Sequence, residues 1–106
     1  MTEKLTVLYL PSDEEINIHL EPIDGYTMDK YDFTCEVFCS HMRKQVIEKK
    51  DMTRIDSDNY RLWLKTEPIG VGRVKIKVLA KIPNAYVDGG IRHVTTYLDP
   101  HIEIKD

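Results

Sequence analysis

The sequence predicts an all-β chain, eight or nine short strands in two packed antiparallel sheets, and three observations carry that prediction. From Arg73 to Ile82 the even positions Val74, Ile76, Val78, Ala80 and Ile82 are apolar, while the odd positions, Leu79 excepted, are cationic. That is the two-residue period of a half-buried strand; a helix would draw Lys75 into its apolar stripe and carry many β-branched side chains. Short alternating runs then recur along the chain, separated by turn residues at the spacing of packed antiparallel sheets. Finally, 106 residues suit one domain, 1–106, large enough to bury roughly two-thirds of the surface that its unfolded form exposes.

Taken in order, Lys4 to Leu10 alternates with Leu5, Val7 and Tyr9 on one side, and Pro11-Ser12-Asp13 breaks the run. Glu15 to Leu20 resumes it, with Ile16, Ile18 and Leu20 on one face. Glu21 to Lys30 is a loop whose strongest turn signal is Asp24-Gly25. Asp32 to Ser40 reads either as a strand gathering Phe33, Cys35, Val37 and Cys39 or as a helix continuing to Lys50. Because Phe-Thr-Cys-Glu-Val-Phe-Cys is poor in strong helix formers, the strand is preferred. Gln45 to Glu48 and Met52 to Ile55 are then short strands, with a turn at Asp56-Ser57-Asp58-Asn59. Asn59 to Thr66 alternates with Tyr60, Leu62 and Leu64 inward and Arg61, Trp63 and Lys65 outward. After the Arg73–Ile82 strand comes a long connection, Pro83 to Gly90, closed by a Gly-rich turn. A strand from Ile91 to Leu98 follows, stopped by Asp99-Pro100, and a last edge strand begins at His101.

Composition narrows the function classes. Eighteen acidic against 15 basic side chains leave a net charge of −3, which implies no general attraction to nucleic acid or to a membrane. The opening residues Met-Thr-Glu-Lys-Leu lack the basic start and apolar middle of a signal peptide, so synthesis in a cytosol is expected. The two cysteines, Cys35 and Cys39, fit buried thiols in a reducing compartment.

Chemistry-bearing patterns are sparse. Cys35, Cys39 and His41 share a face on a strand, yet strand residues four apart lie roughly 13 Å from each other, too far for the two thiolates to share one zinc. They read as small buried hydrophobes. Ser12, Ser40 and Ser57 sit in no turn that would expose a nucleophile, and His19, His93 and His101 are scattered. Asp56, Asp58 and Asn59 lack the central Gly and terminal Glu of a calcium loop. Gly70-Val71-Gly72 leads into a strand, where a phosphate cradle would need a helix, and so reads as a bend or bulge. No catalytic residue, cofactor or metal is therefore expected. Two features point to a protein partner: the basic row Arg73, Lys75, Lys77 and Lys81, and Trp63 between Arg61 and Lys65. Trp and Arg dominate binding hot spots, but the lysines also suit a solvated sheet face, and the favoured reading of Trp63 is a ring covered by Arg or Lys stems or by the Glu21–Lys30 loop.

Tyr31-Asp32-Phe33, Tyr60-Arg61-Leu62-Trp63-Leu64, Gly70-Val71-Gly72-Arg73-Val74, the run from Ile82-Pro83-Asn84-Ala85 to Gly89-Gly90-Ile91-Arg92 and the closing Ile102-Glu103-Ile104 resemble a small β-sandwich domain. It occurs in prophage tail and baseplate proteins and is similar in layout to the N-terminal domain of phage baseplate upper proteins. The resemblance implies an immunoglobulin-like antiparallel β-sandwich of about eight strands, a non-enzymatic assembly or attachment module of a virion or prophage-derived particle that binds other protein subunits or copies of itself. A sandwich of this size presents open edges and sheet faces, so association is expected through strand addition at an edge such as His101 to Lys105 or through the Trp63 face. Where the family has Phe-Pro-Asp-Gly before the arginine, this chain has Tyr86-Val87-Asp88-Gly89-Gly90. The alternative is a carbohydrate-binding module, with Tyr26, Tyr86 and Tyr97 joining Trp63 as platforms for sugar rings.

Overall fold

The alternating runs form strands, and the computed structural model describes them over residues 4–40 and 42–106. Among the described residues these are β1 (Thr6–Tyr9), β2 (Asp13–His19), β3 (Asp32–Ser40), β4 (Arg43–Glu48), β5 (Thr53–Asp56), β6 (Asn59–Lys65), β7 (Gly72–Arg73), β8 (Lys75–Pro83), β9 (Ile91–Leu98) and β10 (Ile102–Lys105). A four-residue helix, α1 (Thr66–Ile69), follows β6, and 3-10 turns sit at Met28–Lys30, Lys49–Asp51 and Asp88–Gly90. The chain is thus mostly β.

Three sheets share the strands, in the orders β1-β10-β7, β2-β6-β5 and β4-β3-β8-β9. Their inner faces meet in one core. Ile16 and Ile18 of β2, Leu62 and Leu64 of β6, Phe33, Cys35 and Val37 of β3, Ile76 to Ile82 at even positions of β8, and Ile102 and Ile104 of β10 are all buried there. The result is sandwich-like and largely antiparallel; β1 and β10 pair in parallel. Asp32 to Ser40 is a strand, as the scarcity of helix formers implied, with a bulge between Phe38 and Ser40.

Register settles one point that alternation left open and overturns two expectations. Along and beside β1, Leu5, Val7 and Tyr9 share the exposed side, and Leu8 and Leu10 pack on the core. The cause lies 96 residues away: paired residues on neighbouring strands face the same side, and Leu8 pairs with buried Ile104 while Thr6 pairs with buried Ile102. The last strand is not an edge, because β10 lies between β1 and β7, so strand addition at His101–Lys105 has no open backbone to use. The predicted strand from Arg73 to Ile82 is broken. β7 pairs with β10, whereas β8 pairs with β3 and β9, and between them buried Val74 donates its N–H to the Ile102 carbonyl at 2.9 Å. Gly72 sits at the turn-off with φ of +130°, and a Cβ there would stand 3.2 Å from the Cys39 Cβ. Two residues before the strand changes sheet at Val74, the dihedral favours glycine and a side chain would press on Cys39.

One end of the core is tied by charge. Asp29 accepts two bonds from Arg54 Nε, both at 2.9 Å, one from Arg54 Nη2 at 2.8 Å, and one from the Tyr60 hydroxyl at 2.6 Å. The guanidinium first and the phenol second hold its carboxyl down to about 2. A depressed folded-state pKa contributes stability above the ordinary carboxylate pKa, and that stability is lost as pH falls through the folded value. The melting temperature is therefore expected to fall between pH 4 and pH 2 more steeply in the wild type than in Asp29→Asn, the two curves converging near the lower limit. Parallel slopes over that window would show that Asp29 contributes no such coupling.

Candidate interaction surface

Strand parity decides which side chains of β6 reach solvent. Tyr60, Leu62 and Leu64 enter the core, so Arg61, Trp63 and Lys65 must point outward, and they do. Trp63 is 56% exposed. The expectation that it is covered fails, and for visible reasons. Arg61 is drawn along the sheet to Glu15 at 3.3 Å and to Asn17 at 3.2 Å. The Glu21–Lys30 loop is held elsewhere, through Asp29 to Arg54 and through Asp24 to Arg92 at 2.8 Å.

The backbone beneath the ring is fixed from a third strand. Pairing with β5 reaches only the Thr53–Arg61 pair, which would leave Trp63 and Lys65 at a bare edge. The side-chain amide of Gln45 on β4 occupies that place: its Nε2 donates to the Trp63 carbonyl at 3.2 Å, and its Oε1 accepts from the Lys65 N–H at 2.9 Å. Arg43 extends the same seam, donating to the Pro68 and Glu67 carbonyls at 3.1 and 2.7 Å. Sequence reading missed both residues, since a Gln or Arg on an alternating strand carries no sign that its partner lies 18 or more residues away. The surface thus consists of an exposed indole on a backbone held from both sides, with Glu15 opposite it on β2 and Arg61 and Lys65 on its own strand.

The basic row does not join it. Lys75 and Lys77 lie on the outer face of the four-stranded sheet, with the core between them and Trp63. The row is also partly neutralised: Glu36 stands opposite Lys77 and pairs with Lys44 at 3.2 Å, and Asp32 stands opposite Lys81. Arg73 leaves the row altogether because β7 belongs to another sheet. Its Nη2 approaches Asp99 at 3.2 Å and donates to His101 Nδ1 at 3.2 Å. Of the six candidate residues, the structure brings together Arg61, Trp63 and Lys65, separately Lys75 and Lys77, and leaves Arg73 apart from both.

The remaining motifs resolve into turns and packing. Asp56 Oδ1 accepts from the Asp58 N–H at 2.9 Å and from Asn59 Nδ2 at 2.7 Å, closing the β5–β6 hairpin. Cys35 and Cys39 are free thiols; burial pushes Cys35 up to about 12 and raises Cys39, whose Sγ donates to the Gly70 carbonyl at 3.7 Å. Protonated and enclosed, Cys35 is a poor nucleophile. His41 lies outside the described residues, and among these no group of three or more His, Cys, Asp or Glu is arranged to hold a metal ion. No helix among them is long and apolar enough to cross a membrane. The aromatic residues expected to join Trp63 are dispersed. Tyr97 is on the outer face of β9, and Tyr26 and Tyr86 border an open depression of about 350 Å³ with Asp24, Asn84 and Arg92. Comparison with protein-family models, with curated protein sequences and with solved structures found no significant match.

Proposed function

We propose that this chain is a non-enzymatic, immunoglobulin-like sandwich module that joins protein subunits, made in the cytosol and carried on a particle of the phage-tail or baseplate kind. The observation that carries the reading is Trp63, more than half exposed on a backbone locked by β2 and by Gln45. An indole held this way loses little freedom on binding, and flanking Arg61, Lys65 and Glu15 supply a polar rim of both signs. The motif resemblance supplies the kind of particle.

Trp63→Ala is expected to leave the melting temperature within about 2 °C, because the ring contributes little to the core, and to abolish co-purification with tail or baseplate subunits identified by mass spectrometry. A large loss of stability would show that the ring is core, and unchanged capture would move the anchor to another face. The depression between Tyr26 and Tyr86 favours a second reading, a carbohydrate-binding module, since aromatic rings beside Asp, Asn and Arg suit sugar hydroxyls. Binding of the same protein to a glycan array, lost on Tyr26→Ala, would select that reading.

A further inference from the structure

Sheet edges must be shielded or used, and the edges of this fold are treated unequally. β1 and β5 have four residues each and β7 has two. β4 is capped by its own Gln45 and Arg43 bonds to β6 and α1. β2 carries Asp13, Glu14 and Glu15 in seven residues. β9 differs from all of them: it pairs with β8 without a bulge from Ile91 to Leu98 and is the outer strand of its sheet. It contains no proline or lysine, and Arg92 is its one Arg, Lys, Asp or Glu. Tyr97, 64% exposed, and Ile91, 41% exposed, stand on its outer face. Between them a groove of about 260 Å³ is lined by Thr34, Leu79, His93 and Thr95.

We infer that β9 is the contact through which two copies of this chain associate, pairing antiparallel about a two-fold axis to continue the sheet across both molecules. The inference rests on the assembly reading above and names one partner for it. The sequence of β9 fits itself. A two-fold axis perpendicular to the sheet keeps outer residues opposite outer residues, so paired positions must share parity. Two centred registers satisfy this. Centred on Val94, the pairing sets Ile91 against Tyr97, His93 against Thr95, and Val94 against itself. Centred on Thr95, it sets His93 against Tyr97 and Val94 against Thr96. In both, Arg92 faces a neutral residue, Thr96 or Leu98, and no Arg, Lys, Asp or Glu meets its like. Backbone bonds supply the attraction, and the outer aromatic and aliphatic pairs add to it.

A contact of one strand per copy is small, so the dimer should have a dissociation constant on the order of 10–100 µM. Sedimentation of the full chain from roughly 1 µM to 1 mM should show a monomer–dimer equilibrium. His93→Asp with Thr95→Asp places carboxylates directly opposite each other in both registers, while Lys81 and Leu79 of β8 remain their neighbours within the molecule. This variant should keep its melting temperature and weaken the dimer by about tenfold or more. His93→Lys with Thr95→Lys should weaken the dimer likewise, with a small loss of melting temperature from the lysine set opposite Lys81, and mixing the two variants should restore a heterodimer. A wild type that stays monomeric throughout overturns the β9 pairing while leaving capture of other subunits through Trp63 as the measure of the assembly reading. A dimer unaffected by either double variant, or a mixture that does not associate, also overturns it. Loss of subunit capture in Trp63→Ala with the dimer intact separates the two surfaces.

Discussion

Phe33→Ala is expected to lower the unfolding free energy by about 3–5 kcal/mol, a large share of what a domain of this size has in total. Phe33 is 1% exposed and joins elements from different sheets. Its ring meets Tyr31 edge-on at 5.9 Å and Tyr60 of β6 at 5.3 Å, with planes at 63° and 89°. Truncation removes the transfer free energy of the ring, leaves a cavity between β3 and β6, and deletes two edge-to-face contacts worth about 0.5–1.5 kcal/mol each. Urea titration of wild type and variant measures the difference. A loss below about 1.5 kcal/mol would show that the site collapses around the missing ring.

Lys49→Met should cost about 2–3 kcal/mol, an unusual loss for a lysine. The Lys49 ammonium donates to the Met28 carbonyl at 2.8 Å and the Tyr31 carbonyl at 2.7 Å, and lies 5.5 and 5.6 Å from the centres of the Phe33 and Tyr60 rings. Methionine keeps an unbranched stem over those rings but leaves two carbonyls without their donor. Lys44→Met provides the comparison, because its pair with Glu36 is half-exposed on one side and such pairs contribute about 0–1 kcal/mol. If denaturant midpoints shift equally in the two variants, the cation beneath the Met28–Lys30 turn has no special role.

Both sites show where sequence reading reaches its limit. Phe33 was legible as an inward residue of an alternating strand. The rings it touches were not, because Tyr60 lies 27 positions further on. Lys49 stood out in no sequence pattern, and only the fold carries the Met28–Lys30 turn to it. Trp63 was legible as an outward aromatic and thus as a candidate anchor, but its exposure depended on where Arg61 and the Glu21–Lys30 loop found partners. The basic row was read correctly as facing one way along β8. Its interruption by Glu36 and Asp32 required knowing that β3 lies alongside. Arg73 was misplaced because alternation continues unbroken through Val74 while the pairing partner changes.

The sequence by itself determined which residues of β2, β3, β6 and β8 share a face, because a strand alternates every two residues by covalent geometry and needs no neighbour to do so. It also marked the turns at Asp24-Gly25, Asp56–Asn59 and Gly89-Gly90, where local backbone preference decides. Only the tertiary structure decided that β10 is central, that Leu8 and Leu10 rather than Leu5 and Val7 enter the core, and that Gln45 supports Trp63. Each of these depends on register between segments distant in the chain. Register follows from the joint burial of many apolar faces rather than from any one of them.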